Sequence, residues 1–155
     1  MAIAFRDYET ERVNDFANQA ELLHVASNYP IIEMNISGRD LVKLDIGSPS
    51  DPMVIMMTRQ KGKWEEVDRT EVIDNNPNPQ FIKTFKALYI FELHQDLRFE
   101  VYDADSDSLK LKKHDFIGYA ETDVQTLASN MDLEVVFNLK HDKKHNERGK
   151  LIIKP

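Results

Sequence analysis

From Pro30 onward the apolar positions alternate with polar ones or gather in short blocks between polar turns. "IIEMNIS" (31–37) alternates, with the period of a half-buried strand. "PMVIMMTR" (52–59) is an almost unbroken apolar run of strand length, the pattern of a strand covered on both faces. "KGK" (61–63) reads as a turn and "WEEVDRTEV" (64–72) as the returning strand. "NNPNPQ" (75–80) carries two prolines, which can continue neither a ladder nor a helix, so it marks a loop. "FIKTFKALYIF" (81–91), "DLRFEVYD" (96–103), "LEVVFNL" (133–139) and "GKLIIK" (149–154) supply further strands. The 3.6-residue period returns only in "ETDVQTLASN" (121–130), where Thr122 or Asp123 is placed to cap a short helical turn. About eight short strands separated by polar loops predict an all-β fold, an eight-stranded antiparallel β-sandwich.

Residues 1–29 follow a different pattern. Phe5, Tyr8, Val13, Phe16, Ala20 and Leu23 recur at roughly helical spacing among acids, before the break at "SNYP". An N-terminal helix and a disordered extension both fit, so the expected organisation is an extension over 1–29 and one folded domain over 30–155. The 155 residues, 41% hydrophobic and 30% charged, suffice for one sizeable core and not for two. No apolar run is long enough to span a bilayer, and the N-terminus lacks the apolar stretch of a secretory signal, so a cytoplasmic setting is expected.

Charge and cysteine content narrow the chemistry. A net charge of -7 argues against constitutive binding to nucleic acid or to an anionic surface, because the overall field repels both. With no cysteine, carboxylates, carbonyls and five histidines are left as metal ligands, which favours a hard cation. No nucleophile elbow, phosphate-binding glycine loop or H-E-x-x-H pattern occurs, so no enzyme activity is expected.

The acids are unevenly placed, and "VYDADSDSLKLKKHDFIG" (101–118) concentrates them. Asp103, Asp105 and Asp107 do not open an EF-hand, because the sixth position is Ser108, the twelfth is His114 and the preceding segment alternates like a strand. They belong to a loop between strands. One such loop seldom supplies the six to eight oxygens that calcium takes, so a partner loop is needed. "VKLDIGSPSDP" (42–52) offers Asp45 and Asp51, and alternate loops of a sandwich cluster at one end. Asp45, Asp51, Asp103, Asp105 and Asp115 then form a candidate cation cup, with Asp107 either a sixth member or a loop-shaping residue. Each close carboxylate pair repels by roughly 1 to 4 kcal/mol, which a cation would relieve. Calcium tolerates such irregular oxygen geometry better than magnesium. Any single aspartate in a turn is better explained by its bonding to the local backbone, and it is the set as a whole that favours the ligand reading.

These segments resemble the C2 domains and, among them, those of copines. "LDIGSPSDPMV" is similar to a first calcium loop, "VYDADSDSLKLKKHDFIG" to a third, and "NPNPQF" to the N-P-x-aromatic feature before a central strand. "GKWEEVDRTEVI" and "LRFEVYD" resemble copine segments most closely, and the resemblance spans about 30–155. It implies a type II topology, the first C2 domain of a copine, and a chain that is part of a longer protein. It also implies calcium on Asp45, Asp51, Asp103, Asp105 and Asp115, helped by the backbone oxygens of Leu44 and Ala104. The third loop is longer than in many C2 domains, in the manner of copines, which leaves Asp115 less firmly placed than Asp103 and Asp105.

The function implied is calcium-dependent docking to an anionic, phosphatidylserine-like phospholipid membrane, with recruitment from the cytoplasm to the plasma membrane or another anionic membrane. Leu109 and Leu111 would enter the interface while Lys110, Lys112 and Lys113 meet its charge. Protein partners are also compatible with the surface, and the alternative is a protein-interaction module whose loops calcium merely rigidifies. A second basic stretch, "KHDKKHNERGK" (140–150), with Lys61, Lys63, Lys83 and Lys86, offers phosphoinositide or protein contact, although an ordinary solvated loop explains it better. His141 and His145 are assigned no metal.

Overall fold

The computed structural model describes residues 28–44 and 47–155. Strands β1 (Ile31–Arg39), β2 (Pro52–Gln60), β3 (Lys63–Arg69), β4 (Phe85–Leu88) and β5 (Asp96–Asp103) come first. After them come β6 (Asp115–Asp123), the one-turn helix α1 (Val124–Ala128), β7 (Val135–Asn138) and β8 (Lys150–Lys154). They form two four-stranded antiparallel sheets, ordered β4-β1-β8-β7 and β3-β2-β5-β6. The extension expected over 1–29 falls, apart from residues 28 and 29, outside the described residues.

Parity along the strands builds the core. In β1, Ile32, Met34 and Ile36 face inward, and in β5 Leu97, Phe99 and Val101 do so, meeting Leu151 and Ile153 of β8. The apolar run of β2 is buried on both faces for two separate reasons. Val54 and Met56 join this core, while Met53, Ile55 and Met57 form an outer cluster beneath Trp64, Tyr102 and Leu111. The helical turn forms where the 3.6 period places it, and Asp123 is its cap, its carboxylate accepting from the Thr126 N–H at 2.6 Å.

Two strands are shorter than the hydrophobic pattern suggests. β3 stops at Arg69 because Thr70 turns into the sheet, its hydroxyl accepting from the Val54 N–H while its own N–H donates to the Val54 carbonyl. Of "FIKTFKALYIF" only Phe85–Leu88 pairs as a ladder. Upstream, Gln80 bridges Ser37 and the Phe81 N–H bonds the Ile36 carbonyl, so the chain follows β1 without a continuous ladder.

The registers decide which loops share an end. Asp103 pairs with Pro52 on one side and Asp115 on the other, Arg69 pairs with Ile55, and Arg39 pairs with Lys150. The β1–β2, β3–β4, β5–β6 and β7–β8 connections therefore emerge together. Gly149 lets the last of these approach the first: its φ is +105°, and a Cβ there would stand 2.8 Å from the Asp40 carbonyl oxygen. Gly149→Ala is expected to lower unfolding free energy by about 1 to 3 kcal/mol, measurable in denaturant.

Candidate metal centre

Asp103 is the last inward position of β5 and is 4% exposed. The parity that buries Phe99 and Val101 thus delivers a carboxylate to the rim of the core. It is held there by the backbone of the facing strand: the Asp51 N–H donates to Asp103 Oδ1 at 2.9 Å, and the Ala104 N–H donates to the Asp51 carbonyl at 2.9 Å. Asp105 lies two residues further along the β5–β6 connection, and Asp115 opens β6. Carboxylate oxygens of Asp103, Asp105 and Asp115 all lie within 4.8 Å of one another, the first buried and the other two exposed.

The long connection owes its shape to His114, which is 8% exposed. The Asp105 N–H donates to His114 Nδ1 at 3.1 Å. A backbone amide can only donate, so Nδ1 accepts, the ring proton resides on Nε2, and Nε2 donates to the Ser108 carbonyl at 2.8 Å. The imidazole therefore closes the loop and orients Asp105, a role that nothing in the one-dimensional pattern distinguishes from an ordinary loop histidine. His114→Ala would leave two backbone groups seeking partners. It is expected to cost about 1 to 3 kcal/mol and to speed hydrogen exchange at the Asp105 amide.

The other site residues named from sequence have separate places. Asp51 adjoins the group through its backbone, but its Oδ1 accepts from the Asn75 N–H at 2.7 Å and so ties down the β3–β4 connection. Asp45 lies outside the described residues. Leu44 packs half-buried against the core, the Ala104 N–H holds Asp51, and Asp107 is exposed and outside the group of three. Leu109 is 79% exposed, whereas Leu111 sits in a 3-10 turn (Leu111–Lys113) and packs on Met53, Ile55 and Met57. Lys110, Lys112 and Lys113 are exposed around it.

Arg69 ties the end of β3 to the β5–β6 connection, its guanidinium gripping Glu66 of the same strand through two bonds of 2.6 Å and donating to the Leu109 carbonyl at 3.1 Å. Three residues beyond it, Val72 is exposed, and Ile82 on the same β3–β4 connection is 90% exposed. No motif marks Ile82 in the sequence; its odd parity against buried Phe81 and Phe85 is the signal that places it outward.

The donor set is oxygen alone. Both nitrogens of the neighbouring histidine are spent on backbone groups, and three converging carboxylates offer as many as six oxygens, a fit to a hard divalent cation such as calcium and not to zinc. Among the described residues, no helix is long and apolar enough to cross a membrane.

A family model described as "C2 domain" matches residues 32–139. Nicotinic receptor-associated protein 1 of Caenorhabditis elegans is 38% identical in an alignment taking in 66% of this chain and 19% of that protein, so the chain spans about a fifth of its length. Among solved structures, the C2A domain of a plant Extended Synaptotagmin 1 superposes with a TM-score of 0.59 at 23% identity, covering 81% of this chain and 94% of the other. The calcium-bound C2A and C2B domains of Extended-Synaptotagmin 2 give a TM-score of 0.57 at 22% identity, covering 80% and 44%.

Proposed function

Because this chain belongs to the C2 domain family, a family of binding modules and not of catalysts, we propose that it docks reversibly on anionic phospholipid membranes when calcium is bound. We further assign it to the first C2 domain of a copine-like protein, with residues 30–155 as the folded unit, cytoplasmic until calcium recruits it. The observation that carries the reading is the convergence of Asp103, Asp105 and Asp115 at the foot of a loop whose apolar tip, Leu109, stands in solvent.

Asp103, Asp105 and Asp115 would hold the ion, with Asp45, Asp51 and the carbonyls of Leu44 and Ala104 as further donors. When bound, calcium supplies positive charge that cancels the carboxylate field and attracts lipid phosphate and carboxylate oxygens. The chain's own residues do the rest. Leu109 enters the interfacial region, and Lys110, Lys112 and Lys113 each contribute about 1 kcal/mol near an anionic surface. Leu111 stays packed on the outer cluster of β2.

A calorimetric calcium titration with and without phosphatidylserine vesicles tests this reading. Binding that tightens in the presence of vesicles is the expected result. Binding indifferent to vesicles would leave calcium as a loop stiffener in a protein-interaction module, and absence of binding would overturn the assignment. Reversing Lys110, Lys112 and Lys113 to Glu is expected to weaken vesicle binding by about 2 to 3 kcal/mol or more at low salt, with a shallower salt dependence.

A further inference from the structure

The β7–β8 connection emerges at the same end of the sandwich as the acidic group and contains a buried cation. Arg148 is 5% exposed. Its Nε donates to the Ile117 carbonyl of β6 at 2.8 Å, and Nη1 donates to Asn146 Oδ1 at 3.1 Å. Among the described residues it has no carboxylate within ion-pair distance, and three of its five N–H groups have no protein acceptor. Buried guanidinium groups are ordinarily paired, and this one is paired with neutral oxygens only. Burial alone moves its pKa downward, with no carboxylate raising it.

Arg148 lines a cleft of about 420 Å³ together with Asp40, Asn138, His145 and Lys150. The acids at this cleft, Asp40 and Glu147, are less buried than the guanidinium and open to hydration. The lining carries two formal positive charges, Arg148 and Lys150, against two negative ones, Asp40 and Glu147. His141, whose ring lies against Phe116, has its pKa lowered by burial first and then by Arg148, Lys144 and Lys143, with Asp142 alone opposing them. Asp142 is itself engaged by the Tyr119 hydroxyl at 3.1 Å.

We propose that this cleft is an anion site for a phosphate-monoester oxyanion, with Arg148 as its principal donor and Lys150 and His145 at its mouth. The planar fork of a guanidinium matches two phosphate oxygens, and the free N–H groups of Arg148 supply the charge-assisted bonds such an anion seeks. The site uses no residue of the acidic group, so it operates without calcium. Occupied by a lipid headgroup phosphate, it would add a second attachment point at the membrane-facing end.

The test is nuclear magnetic resonance titration of the isotope-labelled chain with inorganic phosphate in the presence of a calcium chelator. Saturable shifts at the amides of Asn146 to Lys150 are expected. Lys150→Glu, at an exposed position, and Arg148→Lys should each weaken the titration by about tenfold or more. Should Arg148→Lys fail to fold, Lys150→Glu carries the test. Phosphatidylcholine vesicles with and without phosphatidylinositol monophosphate, also in chelator, separate the sources: capture only by the phosphoinositide vesicles identifies a headgroup, and a response to inorganic phosphate alone identifies a soluble phosphate. Absence of saturable shifts in this connection, or shifts unchanged in Lys150→Glu, would overturn the proposal. Because calcium is removed throughout, either outcome is independent of the acidic group.

Discussion

In excess calcium the unfolding temperature of the chain is expected to rise by several degrees, and the rise to vanish in the double variant Asp103→Asn with Asp105→Asn. A cation that binds only the folded state adds about 2.7 kcal/mol when present at a hundred times its dissociation constant. Without calcium the order reverses. The three carboxylates lie within 4.8 Å of one another, and each pair repels by about 1 to 4 kcal/mol, nearer the lower figure where both are exposed. Removing two charges relieves that repulsion, so in chelator the double variant should be the more stable protein. The amide oxygen that Asp103→Asn introduces can still accept the Asp51 N–H, so the junction between β2 and β5 survives the change. The crossing of the two stabilities is the diagnostic, read by thermal unfolding with and without calcium. Parallel responses of both proteins to calcium would remove Asp103 and Asp105 from the ion.

The second large effect separates two leucines that lie two positions apart. Leu109→Asp is expected to weaken calcium-dependent vesicle binding by about ten- to hundredfold, the loss of roughly 1.5 to 3 kcal/mol of apolar burial. Its stability in denaturant should change by less than about 0.5 kcal/mol, because 79% of the residue is already in solvent. Leu111→Ala should do the opposite. It removes a half-buried contact with Met53, Ile55 and Met57 and is expected to cost about 1 to 3 kcal/mol of stability, below the figure for a fully buried leucine. Vesicle cosedimentation and urea unfolding of both variants decide the matter, and equal effects of the two substitutions in both assays would refute the division.

The difference between these leucines also shows where one-dimensional pattern stops being informative. Both adjoin lysines in "LKLKK", and only the 3-10 turn at Leu111–Lys113 sends one to the sheet and the other outward. The strands were legible because alternation is a local property: "IIEMNIS" and "DLRFEVYD" bury the residues their parity assigns. "PMVIMMTR" was legible as a doubly covered strand, but what covers its outer face comes from Trp64, Tyr102 and Leu111, dispersed along the chain. The closeness of Asp103, Asp105 and Asp115 follows from strand ends that sequence places well. The diversion of the Asp51 carboxylate to Asn75 depends on the path of a proline-rich loop, which no period encodes. His114 and Arg148 were opaque for a related reason, since both partners of His114 and the partner of Arg148 on β6 are backbone groups, which carry no sequence label.

The outer cluster on β2 contains the chain's only tryptophan. Trp64 and Leu111 pack against the same cluster, with the Arg59 guanidinium 4.6 Å above the indole ring centre. Ordering or loosening of the β5–β6 connection must therefore alter the surroundings of one unique fluorophore. Trp64 emission is therefore expected to respond to the state of a loop to which the indole is not itself attached.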